Sequence, residues 1–133
     1  MGLYIFVLAA ALAVFGILFF FKRNVERIKE DPSQYPEAQK NFFIGTAISE
    51  ALPIVLLVLG FANQPKAPLE EIYLPLMIVG FLLFFSIFFI FLQRAVGVDE
   101  DSKQFVTNFS LIAVTVSVSI PIIAIVFLFF SVQ

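Results

Sequence analysis

Glu50 is the one Asp, Glu, Lys or Arg inside an apolar run long enough to cross a bilayer; the other nine of the ten carboxylates lie in linkers or near helix ends. Placing a charge at that depth costs at least about 2.5–3.5 kcal/mol. Desolvation therefore favours the neutral acid. A carboxyl held this way can take a proton from water at one point and release it where a cation or an aqueous path approaches. That is the physical requirement for a proton carrier, and it makes Glu50 the candidate proton-binding residue, with the proton itself as bound ion and no cofactor expected. Thr46 stands one turn earlier on the same face. Pro53 has no amide hydrogen, so the carbonyl of Ser49 loses its helical donor and could accept a hydrogen bond from protonated Glu50. A carbonyl on a neighbouring helix could do the same. Gly45 and Ser49 form a small-xxx-small pair that lets another helix come close, and Ala47 and Ala51 are further small positions expected at a helix contact. The plainer reading is that a neutral Glu and a few small residues only hold helices together.

Other chemistries are poorly supplied. The chain has no Cys and no His, which removes thiol nucleophiles, thiolate sites and the commonest general base and metal ligand. No phosphate loop and no nucleophile–base pair is present. A net charge of −2 gives no reason to expect nucleic acid. The expectation is a non-enzyme, at most a non-catalytic subunit, with no metal site.

The elements that position Glu50 are set by hydropathy. Of the 133 residues, 61% are hydrophobic, with nineteen Phe and a mean hydropathy of +1.03. Soluble domains run near 45–50% apolar. Four runs can span a bilayer, residues 3–21, 42–62, 72–92 and 105–130. Each must be helical, because hydrocarbon offers the backbone no hydrogen-bond partner. Glu50 falls about 12 Å along its helix from Phe42 at 1.5 Å per residue, near mid-span. Residues 3–21 are expected to be a retained anchor rather than a cleaved signal, since nothing positive precedes them and Lys22-Arg23 follow at once.

Basic residues set the expected orientation. Lys22, Arg23, Arg27, Lys29 and Lys40 follow the first run, Lys66 alone follows the second, and Arg94 and Lys103 follow the third. The positive-inside rule puts linkers 22–41 and 93–104 in the cytoplasm and both termini outside a cell membrane. The acidic cluster Asp99-Glu100-Asp101 does not oppose this, because the rule weighs Lys and Arg. The expected fold is an all-α membrane protein of four transmembrane helices arranged as two helical hairpins, residues 1–62 and 72–133, joined by an outer loop at 63–71. Between the first two spans, Asp31-Pro32 and Tyr35-Pro36 imply a helical extension, a turn, and a short helical lead into the second span. The basic half of that linker is able to touch anionic lipid, although a solvated linker is the plainer reading.

With Pro32, Phe43-Ile44-Gly45 and Glu50-Ala51-Leu52-Pro53-Ile54 in one register, residues about 8–61 resemble the c subunit (proteolipid) of rotary ATP synthases. Phe43-Ile44-Gly45 and Glu50-Ala51-Leu52-Pro53-Ile54 stand where that family has Phe-Ile-Gly and a carboxylate before Ala-Leu/Ile-Pro-Ile. Pro32 lies eighteen residues before Glu50, the place of the family's loop Pro. Lys22-Arg23-Asn24-Val25-Glu26-Arg27-Ile28 is similar to the stretch ahead of that loop. The resemblance implies a proteolipid-like hairpin that would work in copies of itself, with Glu50 discharging against an Arg on a stator membrane subunit. It also implies a loop contact through Arg23, Glu26 and Pro32. Glu30-Asp31 replace the family's loop Arg-Gln, and only Gly16 survives of its first-helix glycines. The Gln and Ser/Thr of sodium-binding members are missing, so a proton is the implied ion.

Residues 72–133 read as a degenerate copy of the first hairpin. Superposing Pro121 on Pro53 brings Ser117 onto Ser49, Ile122 onto Ile54 and Val118 onto Glu50, so the carboxylate is lost. Thr115, Ser117 and Ser119 still give the fourth span a polar, small stripe suited to helix contact. Two functions are implied. One is a proton-translocating, c-like rotor subunit in which Glu50 cycles between protonated and ionised forms. The other is a non-catalytic proteolipid-like protein of assembly or adaptor type, with Glu50 structural.

Overall fold

A computed structural model of the chain describes residues 2–63, 65–95, 100 and 102–132. Asp99 and Asp101 of the acidic cluster, and Gln64 of the outer loop, lie outside the described residues. Four helices carry the fold: α1 (Tyr4–Glu30), α2 (Tyr35–Asn63), α3 (Leu69–Ala95) and α4 (Lys103–Phe130). All four are long and apolar enough to cross a membrane. The chain is an all-α membrane protein built of helical hairpins.

Local sequence explains the boundaries. α1 runs past its apolar stretch to Glu30 and stops at Asp31, whose extended backbone (φ −149°, ψ 100°) suits a residue before proline. Asp31 Oδ1 then accepts from the Ser33 amide at 3.1 Å and the Ser33 hydroxyl at 2.7 Å. That fixes the 3-10 turn Pro32–Gln34 and aims α2 back along α1. At the opposite end, the Ala67 amide donates to the Ser131 carbonyl at 3.0 Å and Lys66 Nζ to the Phe130 carbonyl at 2.6 Å. The loop after α2 is thereby tied to the end of α4, where free carbonyls and the helix dipole favour a cation. Lys66→Met is expected to cost about 0.3–1 kcal/mol, the usual worth of a cation at a helix C-terminus, read by thermal unfolding in detergent. An unchanged unfolding curve would show that the bond adds nothing.

α1 is the central helix. It lies against α2, α3 and α4, whereas α2 and α3 make no extended contact with each other among the described residues. Ala9, Ala10, Ala13, Val14, Ile17 and Phe21 of α1 are wholly buried. The two hairpins therefore share one continuous core rather than two. Small residues set the α1–α2 distance at three levels. A Cβ on Gly16 would sit 2.8 Å from Ser49 Cβ, one on Gly60 2.6 Å from Ile5 Cγ2, and one on Gly45 would meet the base of the Phe20 ring.

α2 and α4 run parallel. Ring pairs Tyr35–Phe105 (5.0 Å), Phe42–Phe109 (5.0 Å) and Phe61–Phe127 (4.9 Å) mark their register from one end to the other. Phe21 of α1 stacks on Phe109 at 5.5 Å and 11°, which completes a buried aromatic cluster of three helices. The outer faces are as apolar as the core. Phe81, Phe84 and Phe88 of α3 are 65–73% exposed, a row that hydrocarbon would cover.

Candidate functional site

The buried face of α2 carries Ala38, Phe42, Gly45, Thr46, Pro53, Leu57 and Gly60. Gly45 and Ser49 press on α1, as their small-xxx-small spacing implies. Glu50 follows Ser49 by 100° of helix rotation, and is half-buried at the margin of that face, towards α4. Its carboxyl meets Ser119 of α4, with Oε1 3.3 Å from the hydroxyl oxygen. The same hydroxyl lies 2.7 Å from the Val116 carbonyl. A serine has one proton to give and lone pairs to receive. With that proton on the closer carbonyl, Ser119 Oγ is left as an acceptor for a protonated Glu50. A carboxylate would instead have to draw the proton away from Val116. The arrangement suits a neutral acid that shares one hydroxyl.

No basic side chain pairs with Glu50 among the described residues; the Lys22–Glu26 ion pair, at 3.4 Å, lies at the turn end of the bundle. Nor do the described residues hold a cluster of acidic groups able to bind a metal ion. The Phe42–Phe109 and Phe61–Phe127 contacts close the α2–α4 seam on either side of Glu50. Glu50 is itself partly exposed at the margin of α2, so the carboxyl can be approached from there.

No family model, no curated protein and no solved structure matches this chain. What the site can do follows from its own geometry.

That geometry departs from several expectations. The partner of Glu50 is a hydroxyl on α4, not the Ser49 carbonyl. Ser49 packs its side chain on Gly16. Thr46 does not support the carboxyl: it is 6% exposed and its Oγ1 has no hydrogen-bond partner. Ala47 and Ala51, expected at a helix contact, are exposed on the outside of α2. They point about 120–160° around the helix from Gly45 and Ser49, so one neighbouring helix does not reach both sets. Pro53, expected to support the carboxyl by freeing the Ser49 carbonyl, is buried within α2. Arg23, Glu26 and Pro32 lie toward the turn end, where Arg23 shares a cleft with Asn41 and Gly45, and no hydrogen bond or ion pair joins any of the three to Glu50 among the described residues.

Ser119 is the residue that sequence reasoning placed on a contact stripe without giving it a role. The superposition of Pro121 on Pro53 brought Val118, one position away, onto the place of Glu50 and said nothing of what faces the carboxyl. Ser119→Ala is expected to cost about 0.6–1.7 kcal/mol, the range for hydroxyl bonds between membrane helices, and to leave the bundle folded. Thermal unfolding in detergent measures it. A loss several times larger would mean that the pair holds the hairpins together.

Proposed function

We propose that the chain is a proton-carrying membrane proteolipid, similar to the c-like rotor subunit of an ATP synthase, in which Glu50 cycles between protonated and ionised forms. The observation that carries this reading is the carboxyl at mid-span, bonded to a single hydroxyl, with no cation paired to it. Such a group is at rest when neutral, and it loses its proton only where an outside cation or water reaches the margin of α2. This chain offers no basic residue at that depth. The discharging Arg must therefore come from a partner membrane subunit, and exposed Ala47 and Ala51 leave room beside Glu50 for a close approach. The resemblance over residues 8–61 supports the same reading, with N- and C-termini outside and the turn end in the cytoplasm.

A second reading has its own support. The Glu50–Ser119 contact joins the two hairpins, and α1 is already enclosed by α3 and α4. Both suit a proteolipid-like assembly or adaptor protein with a structural carboxyl. Hydrophobic carbodiimide labelling separates the two, because the reagent attacks the protonated acid. The carrier reading expects Glu50 to be modified at neutral pH and modification to fall as pH rises. An unreactive Glu50 over the whole range ends it. Particle images in mild detergent add an independent test, a closed ring of many copies for the rotor and a monomer or small oligomer for the adaptor.

A further inference from the structure

The turn end of the bundle holds a polar cleft between α1 and α2 of about 280 Å³. Arg23, Asn24 and Arg27 of α1 and Asn41 of α2 form its polar wall, with Phe20 and Ile44 beneath them. Arg23 and Arg27 are four residues apart and share one helix face. Neither guanidinium has an ion-pair partner among the described residues, whereas Lys22, just outside the cleft, is matched by Glu26. Asn24 is 2% exposed. Its amide nitrogen donates to the Phe20 carbonyl at 2.8 Å, which fixes the side chain and leaves the buried Oδ1 with no donor. A buried acceptor without a partner is uncommon and points to a missing donor.

We propose that this cleft binds the headgroup of an anionic phospholipid that also carries a hydroxyl, such as a glycerol or inositol headgroup. Two guanidinium forks and the Asn41 amide supply donors for a phosphodiester, and the lone Asn24 Oδ1 supplies the acceptor for the headgroup hydroxyl. Depth agrees with this. The cleft opens where Phe19-Phe20-Phe21 give way to Lys22, the level at which phosphates lie in a bilayer. The floor favours a lipid over a free anion. Ile44 is 51% exposed, and Ile48 on the next turn is 68% exposed, so an acyl chain can continue from the cleft along α2. The site is independent of proton carriage at Glu50, which lies on another face and nearer mid-span.

The full chain in detergent, equilibrated with equal amounts of phosphatidylglycerol and phosphatidylcholine, provides the test by native mass spectrometry of retained lipid. The wild type is expected to hold one phosphatidylglycerol with about tenfold preference, and R23Q/R27Q to fall to near parity, the effect of two close cation–phosphate contacts. K22Q/K40Q removes the same charge from the same end outside the cleft and is expected to keep the preference. Parity in the wild type, an undiminished preference in R23Q/R27Q, or an equal loss in K22Q/K40Q would each overturn the proposal. Displacement of the lipid by excess inorganic phosphate would overturn it too, assigning the cleft to a free anion.

Discussion

Glu50→Gln is expected to abolish both carbodiimide labelling and proton flow while leaving the fold intact. Glutamine has nearly the same shape and can still donate to Ser119 Oγ, so the 3.3 Å contact survives. Being neutral at every pH, it also avoids the desolvation cost of an ionised acid at mid-span. The proton-binding function disappears, since an amide neither releases nor gains a proton. In reconstituted vesicles with its partner subunits, flow should drop to that of protein-free membranes, and thermal unfolding in detergent should move by no more than the small worth of one such bond, about 1 kcal/mol. The two readouts separate the readings. Normal flow in the mutant would leave Glu50 a structural group. Normal stability with no flow is the carrier's signature.

Gly45→Val is expected to be the most damaging single change to the bundle, and it needs no assumption about function. Even a bare Cβ at Gly45 would meet the Phe20 ring at its inner atoms rather than its tip. Rotating the ring cannot clear the space, so α1 and α2 must separate along a seam also set by Gly16–Ser49 and Gly60–Ile5. Overpacking a close helix contact costs about 1–3 kcal/mol, and a branched side chain at this site belongs at the upper end. Gly80→Val is the matched control, because a Cβ there has no neighbour within 4 Å and faces outward. Helix propensity alone would make both changes mildly favourable or neutral. Thermal unfolding of the two variants in the same detergent should therefore differ by roughly 3 kcal/mol in favour of Gly80→Val. Equal stability would place the α1–α2 seam somewhere else.

The same seam shows why parts of this protein are legible in its amino-acid order. Four spans, their lengths and the mid-span depth of Glu50 follow from hydropathy, because a backbone in hydrocarbon must close its hydrogen bonds locally and only a helix does so within one segment. The α1 extension and the turn at Asp31-Pro32 are equally readable, since proline and aspartate act on their immediate neighbours. Gly45 and Ser49 announce a close contact by size alone.

Rotation of each helix is not readable. In water a helix shows its buried face by being apolar on one side; in lipid the covered and uncovered faces are both apolar, and the pattern that would aim a side chain is absent. α2 illustrates this: Phe42 is fully buried and neighbouring Phe43 is 44% exposed, with the same side chain at both. For that reason the sequence could nominate Glu50 but not Ser119 as its partner, and could mark Ala47 and Ala51 as small without revealing that they face outward. It also could not say that α1 would lie at the centre. Composition and local chemistry determined the helices and the carboxyl; packing between helices, which depends on shape rather than polarity, decided what that carboxyl meets.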